Sequence, residues 1–563
     1  MDLINLQKRL KKFKLDAFLV SRNNLFLGQD IRNDENIIMQ LTGFTGSAGT
    51  LLITPQKNFL FVDGRYELQA PQQVDKSLIE VICTTKLSLA EWINQNLANK
   101  KIGYNPWCWS INDILKFSTP QMVPESEFLP YLLSTEPIHI FEQPLEYCGQ
   151  RREEKITNIS RQISDKNLDA YFISAADSVS WLLNLRSDAL PDSPVLRALA
   201  VMDNERHIWV FADNINSKDL PFNLTVLPLH DLPNRLKKFK KKIIGLDFNT
   251  TAAAFFELAQ DFHIKLENHP DFCQLQKSIK NACELDGIRK AHIRDGVAVC
   301  KFLYWFEHNR QGKTELDIVN KLHDFRAKQQ NFVSESFETI AAYGSNGAIV
   351  HYSPTAKTNK KIKDGSFLLL DSGAQYLDGT TDITRTIAVG NITPEMSEDF
   401  TLVLKAHIHL SSAIFPNRTS GAKLDTLARE VMWQEGKNYN HGTGHGVGCF
   451  LNVHEGPQFI SAACHTPFTA GQITSIEPGY YREGKYGIRI ENLAEICPCG
   501  FQEFLCFKNL TLVPIDSRAI NKYLMTAEER EWLNQYHREV LKQITPHLSD
   551  DEKHWLEEAC APL

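Results

Sequence analysis

Two stretches of this chain repeat one pattern, and that repeat limits the fold more than any other feature. Leu15-Asp16-Ala17-Phe18-Leu19-Val20-Ser21 is echoed by Leu168-Asp169-Ala170-Tyr171-Phe172-Ile173-Ser174. Each follows a basic amphipathic stretch, Leu6 to Lys14 and Ile156 to Lys166, that reads as a helix running into a strand. Each is followed by two more strand-like runs. These are Thr50 to Ile53 and Phe59 to Val62 in the first copy, Ala198 to Met202 and Ile208 to Phe211 in the second. Helix–strand alternation repeated in this way predicts two related α/β domains in series. Boundaries fall near 150, at Arg151-Arg152-Glu153-Glu154-Lys155, and near 275, before Ser278 to Asn281. The expected division is 1–150, 151–275 and 276–563, the last including a C-terminal extension from about 505. A chain of 563 residues has room for three or four domains of about 150 residues each.

The remaining half carries the chemistry. Asp371 ends the apolar run Phe367 to Leu370, and turn residues then lead to Asp382 and the alternating Ile383-Thr384-Arg385-Thr386-Ile387. This reads as two neighbouring strands that bring Asp371 and Asp382 together. His445 lies in His441-Gly442-Thr443-Gly444-His445-Gly446, and Glu477 opens Glu477-Pro478-Gly479-Tyr480-Tyr481. In Ile488-Arg489-Ile490-Glu491 the period of two places Arg489 and Glu491 on one strand face. Taken singly, each carboxylate reads as a solvated turn or strand residue and His445 as a structural histidine. As a set they form four hard oxygen donors and one imidazole, which suits manganese or another borderline divalent ion better than a thiolate-type zinc site. Four carboxylates exceed the charge that one divalent ion neutralises, so two ions sharing bridging carboxylates are the natural solution.

Composition narrows the alternatives. The balance of 61 basic and 68 acidic residues gives −7, which argues against a general nucleic-acid binder. The basic run Lys237 to Lys242 reads as a solvated helix end before a strand. No apolar run approaches the roughly 20 residues of a membrane span, and the start Met1 to Asn5 has no signal pattern. The twelve cysteines lack a zinc spacing, so free thiols in a reducing cytoplasm are expected. The Gly46/Gly49 pattern lacks the ending of a phosphate loop and reads as a turn.

These motifs resemble the pita-bread metallopeptidases, in which five ligands follow in the order Asp, Asp, His, Glu, Glu. Asp371 to Tyr376, Asp378 to Asp382, His441 to Gly448 and Val453-His454-Glu455-Gly456-Pro457 are similar to the long, three-domain Xaa-Pro aminopeptidases, and the similarity runs along essentially the whole chain. The resemblance implies two creatinase-like α/β domains followed by a pita-bread catalytic domain, opened by a long helix near Glu284 and built of two αβ halves. It implies that Asp371 and Asp382 hold one ion and that Asp382, His445, Glu477 and Glu491 hold the other. Asp382 and Glu491 then bridge, a hydroxide between the ions is the nucleophile, and Glu477 is the general base. By the same resemblance His351 and His454 bind the scissile carbonyl, His441 lines the site, and Arg489 orients carboxylates or substrate. The implied substrates are peptides beginning Xaa-Pro, and selectivity for proline rests on the resemblance alone. Prolidase, with the same ligand set, is the alternative enzyme, and a non-catalytic scaffold on this fold is the alternative outside enzymes. At the tail, Thr526-Ala527-Glu528-Glu529 is a capping box, and Trp532, Leu533, Tyr536, Val540, Leu541 and Ile544 follow at helical spacing. This helix either packs on its own domain or, as the resemblance implies, contributes to a homodimer.

Overall fold

The computed structural model describes residues 2–28, 30–215 and 224–563. The chain divides into two compact units, one of residues 1–144 and 150–274, the other of 145–149 and 275–563.

The first unit holds two six-stranded sheets. One runs, edge to edge, Ile79–Cys83, Asn58–Val62, Thr50–Ile53, Ala17–Ser21, Lys101–Tyr104 and Gln121–Pro124. The other runs Val226–Leu227, Ile208–Phe211, Leu199–Asp203, Ala170–Ile173, Ile243–Leu246 and Lys265–Asn268. The pairing senses match strand for strand. In each sheet the strand from the repeated motif pairs antiparallel with the next on one side and parallel with its neighbour on the other. The helices expected ahead of those strands form over Leu3–Phe13 and Arg152–Asp165. Ala17 to Val20 and Ala170 to Ile173 are buried throughout, as continuous apolar runs in a central strand demand. Lys237–Phe239 is a short 3₁₀ turn before the strand Ile243–Leu246.

The second unit opens with the helix Ala282–Asn309, capped at Asn281 by a reciprocal bond with Glu284, and the helix Glu315–Arg326 packs against it. A three-stranded antiparallel sheet follows, with Ser366–Ser372 between Ile340–Tyr343 and Ile383–Val389. A second helix pair, Pro394–Ser411 and Gly421–Gln434, precedes a six-stranded sheet. That sheet runs Ile414–Pro416, Phe504–Asn509, Asn492–Pro498, Ile473–Ile476, Gly444–Gly446 and Glu455–Ile460. Two αβ halves therefore follow one another, each a helix pair and then antiparallel strands. The helix Ala527–Ile544 carries the expected capping box at Thr526. Its Leu533, Tyr536, Val540 and Ile544 enter the core of its own unit with Val297, Phe302 and Leu512.

One element differs from the sequence reading. Arg489 and Glu491 do not share a strand, because Tyr486–Arg489 pairs with Gly479–Arg482 in a hairpin while Asn492–Pro498 belongs to the six-stranded sheet. The chain changes sheets at Ile490 and Glu491. Both isoleucines expected on the far face, Ile488 and Ile490, are fully buried, so the apolar alternation runs unbroken across the switch and reads as one strand.

Candidate metal centre

The five expected ligands come from strand ends of both halves of the second unit. Asp371 lies in Ser366–Ser372, opposite Thr384, and Asp382 immediately precedes the paired strand Ile383–Val389. His445 is central in Gly444–Gly446, Glu477 follows Ile473–Ile476, and Glu491 precedes Asn492–Pro498. The structure brings them together. Donor atoms of Asp371, Asp382 and Glu491 lie within 4.8 Å of one another, and so do those of His445, Glu477 and Glu491. A third overlapping set joins Asp382, His445 and His454.

The glycines around His445 are there for close approach. A Cβ on Gly444 would stand 2.0 Å from the Ser475 carbonyl oxygen, and one on Gly446 would stand 2.2 Å from that of Glu455. Only glycine lets the His445 strand lie this close to its neighbours.

Four of the five expected ligands are tethered at one atom by a hydrogen bond. Asp371 Oδ2 accepts a hydrogen bond from Arg489 at 2.6 Å, Glu491 Oε2 accepts from Thr384 Oγ1 at 2.8 Å, and Glu477 Oε1 accepts from Ser475 Oγ at 3.1 Å. The opposite oxygens, Asp371 Oδ1 and Glu491 Oε1, and also Asp382 Oδ1, are buried without a hydrogen-bond partner among the described residues. His445 Nδ1 lies 2.9 Å from the Gly446 carbonyl oxygen, so that nitrogen carries the proton and donates it. Nε2 is left with its lone pair facing Glu477 at 3.3 Å and Asp382 at 3.5 Å. A histidine whose second nitrogen is tied to a carbonyl is set up as a metal ligand.

The electrostatics ask for cations. Burial first, then the charges of Asp371 and Glu477, push the Asp382 carboxyl well above its usual range. Burial, then Asp382 and Glu477, do the same to Glu491, and burial raises Glu477. Four carboxylates cannot all ionise here beside Arg489 alone. Three orphaned buried oxygens, a lone pair on His445 and this mutual repulsion fit two divalent ions held by oxygen-rich ligands.

The surrounding residues form a second layer. The His454 ring lies edge-on to that of His445, with centroids 4.3 Å apart. Arg489, fully buried, donates to Asp371, to the Tyr481 hydroxyl at 2.6 Å and to the Val350 carbonyl at 3.3 Å. His351 therefore follows a residue tied to the same guanidinium. His441 Nδ1 lies 2.7 Å from the Gly442 carbonyl, leaving Nε2 to accept from Tyr481 Oη at 2.8 Å. The Tyr481 hydroxyl, pushed up to about 12 by burial, thus links His441 to Arg489 and Asp371. Tyr481, Thr384 and Ser475 were not singled out in the sequence. Each sits on a strand two to four positions from an expected ligand, and that proximity was the available signal.

Comparison with known proteins identifies the family. Residues 286–497 match metallopeptidase family M24, and 503–563 match the C-terminal region of peptidase M24. Residues 3–130 and 134–284 each match the creatinase/prolidase N-terminal domain. A probable Xaa-Pro aminopeptidase P of Laccaria bicolor is 34% identical, with 100% of this chain and 93% of the relative covered. The crystal structure of an X-prolyl aminopeptidase from Caenorhabditis elegans, described as a cytosolic enzyme with a di-nuclear active site, superposes with a TM-score of 0.92 at 31% identity over 100% of both chains. The prolidase of Pyrococcus horikoshii OT3 gives a TM-score of 0.53 at 25% identity, with 64% of this chain and 99% of that one covered. The chain belongs to metallopeptidase family M24, among the three-domain Xaa-Pro aminopeptidases.

Proposed function

We propose that this enzyme releases the first residue from peptides with proline in second position, using two divalent ions at the buried carboxylate–imidazole cluster. The observation that carries the reading is the orphaned oxygens of Asp371, Asp382 and Glu491 converging with His445 Nε2. Asp371, Asp382 and Glu491 would hold one ion, and Asp382, His445, Glu477 and Glu491 the other. When bound, the ions supply Lewis acidity and make water a competent nucleophile near neutral pH. Glu477, less deeply buried than its neighbours and held by Ser475, takes and shuttles the proton. His351 and His454 donate to the scissile carbonyl oxygen as negative charge develops there. His441 lines the site through Tyr481, and Arg489 holds Asp371 in place.

Proline offers no N–H and a φ near −65°. Carbonyl recognition by histidines needs neither a donor nor an extended strand at that position. The oxygen-rich donor set favours Mn²⁺. The cytosolic location of the Caenorhabditis elegans relative supports a cytoplasmic enzyme. By the same resemblance the proposal includes a homodimer, which size-exclusion chromatography tests. Among the described residues no helix is long and apolar enough to cross a membrane.

The test supplies purified protein with Mn²⁺, an Xaa-Pro-Yaa tripeptide and the matching Xaa-Pro dipeptide, and follows products by mass spectrometry. Free Xaa from the tripeptide with little dipeptide turnover is the expected result. Cleavage confined to the dipeptide would make the enzyme a prolidase, and cleavage of neither would return it to a scaffold.

A further inference from the structure

His351 and His454 share an arrangement that the metal centre does not require. The residue after each is locked into a buried cluster built on a carboxylate. Tyr352, after His351, donates its hydroxyl to Glu315 Oε2 at 2.8 Å. Glu315 is fully buried and also accepts from the Tyr343 N–H at 2.7 Å, the Lys360 N–H at 2.9 Å and the Asn346 side-chain amide at 2.9 Å. One carboxylate therefore gathers four donors from residues 343–360, the loop that carries His351. On the other side, Glu455 follows His454 and is 1% exposed. Its carboxylate lies between Lys280 Nζ at 2.5 Å and Lys277 Nζ at 3.2 Å, both lysines themselves buried. Lys280 also donates to the Lys277 carbonyl at 2.8 Å.

Stability alone does not account for either cluster. Buried charges cost desolvation that their pairing rarely exceeds, and apolar residues of similar size serve stability as well or better. What a many-partnered buried carboxylate does provide is a single geometry. Glu455 opens the strand Glu455–Ile460, and His454 lies in the bend immediately before it. Fixing Glu455 therefore anchors the backbone from which that bend presents His454 to Asp382 and His445. His351 is fixed from both sides, by Arg489 at the Val350 carbonyl and by Glu315 through Tyr352.

We propose that Glu315, through Tyr352, and the Lys280–Glu455 pair are positioning residues that aim His351 and His454 at the substrate carbonyl. The proposal rests on the carbonyl-binding role given to these histidines above. It also assigns Lys277 and Lys280, at the end of the second creatinase/prolidase N-terminal match (134–284), a task in the catalytic unit.

The test uses Tyr352→Phe and Lys280→Met in the full chain, each alone and combined with His351→Ala or His454→Ala. Turnover of an Xaa-Pro-Yaa tripeptide is measured with Mn²⁺ at saturation, alongside Mn²⁺ content and Tm. Displacing a catalytic group by about 1 Å costs up to ~100-fold in rate. Each single variant should lower kcat by about 10-fold or more, with KM and Mn²⁺ content little changed. The cross-combinations decide. The Lys280→Met loss should vanish in the His454→Ala background and persist in His351→Ala, and Tyr352→Phe should show the reverse. Equal losses in both backgrounds, or no loss from either single variant, would overturn the proposal. Unchanged kcat in His351→Ala and His454→Ala would instead overturn the role of the histidines on which it rests. Tyr352→Phe removes one hydroxyl only, so it decides the matter by itself if Lys280→Met fails to fold.

Discussion

His454 and the carboxylates of the centre give the sharpest predictions at the scale of single residues. Replacing His454 with Ala removes a donor to the developing oxyanion, and kcat should fall by about 100- to 1000-fold with metal content retained. Steady-state kinetics with metal analysis of the same sample check this. Asp382, Glu477 and Glu491 have carboxyls raised by burial and mutual charge, so without metal the folded site keeps protons that free carboxyls would have lost. Metal binding must expel them. Affinity should therefore rise with pH through the range where these groups titrate, and proton release should appear in calorimetry run in buffers of different ionisation enthalpy. The sign carries over to stability. Groups with raised carboxyl pKa favour the folded state at low pH and lose that contribution as pH rises. Chelation should thus lower Tm more near pH 8 than near pH 5. The five candidate ligands were picked out in the sequence through the family resemblance, since an acidic residue at the end of an apolar run, or a histidine among glycines, is ordinary by itself. Tyr481 was not, because an aromatic on a strand is ordinary until its hydroxyl is seen between Arg489 and His441.

At the scale of elements, close packing and buried histidines matter most. Gly444→Ala would place a methyl 2.0 Å from the Ser475 carbonyl oxygen. We expect about 1–3 kcal/mol of destabilisation and weakened metal binding as His445 shifts, measured by urea unfolding and Mn²⁺ titration. In the C-terminal helix Ala527–Ile544, His537 is held neutral, its pKa lowered to about 4 mainly by burial and then by the Arg385 charge. Its Nε2 accepts from the Ile515 N–H at 3.2 Å, a bond that protonation abolishes. The unfolded chain takes up this proton near pH 6.5 and the folded one only near 4. Stability is therefore lost as pH falls across that window, by up to about 1.4 kcal/mol per pH unit. His537→Gln should flatten that part of the Tm–pH curve. Helices were legible from spacing and caps, and the capping box at Thr526 forms as read. The break at Ile490 and Glu491 was not legible, because the apolar residues on either side are buried in both sheets and the alternation continues across the switch.

At the scale of the whole molecule, the duplicated motif near Leu15 and Leu168 was enough to anticipate two related α/β domains, and the shared strand order of their sheets emerged only in the structure. The sequence did not reveal that the C-terminal helix reaches the metal centre's frame. Arg385 donates to the Glu491 carbonyl at 2.6 Å, to Asn492 Oδ1 at 2.8 Å and to Tyr536 Oη at 2.8 Å. Tyr536 in turn donates to the Val513 carbonyl at 2.7 Å. Deleting residues 526–563 would remove Leu533 and Val540 from the core they share with Val297, Phe302 and Leu512 and strip Arg385 of its Tyr536 partner. The truncated chain should lose its cooperative transition or its solubility, read by calorimetry and size-exclusion chromatography. Unaltered unfolding and metal content would separate the helix from the catalytic frame.

The most direct measurement is a crystal of the protein grown with Mn²⁺, with anomalous difference maps collected at the manganese edge. Two peaks are expected, one shared by Asp371 and Asp382 and the other by His445, Glu477 and Glu491, with Asp382 and Glu491 touching both. A single peak, peaks elsewhere, or none at full Mn²⁺ would contradict the two-ion centre on which the proposed function stands.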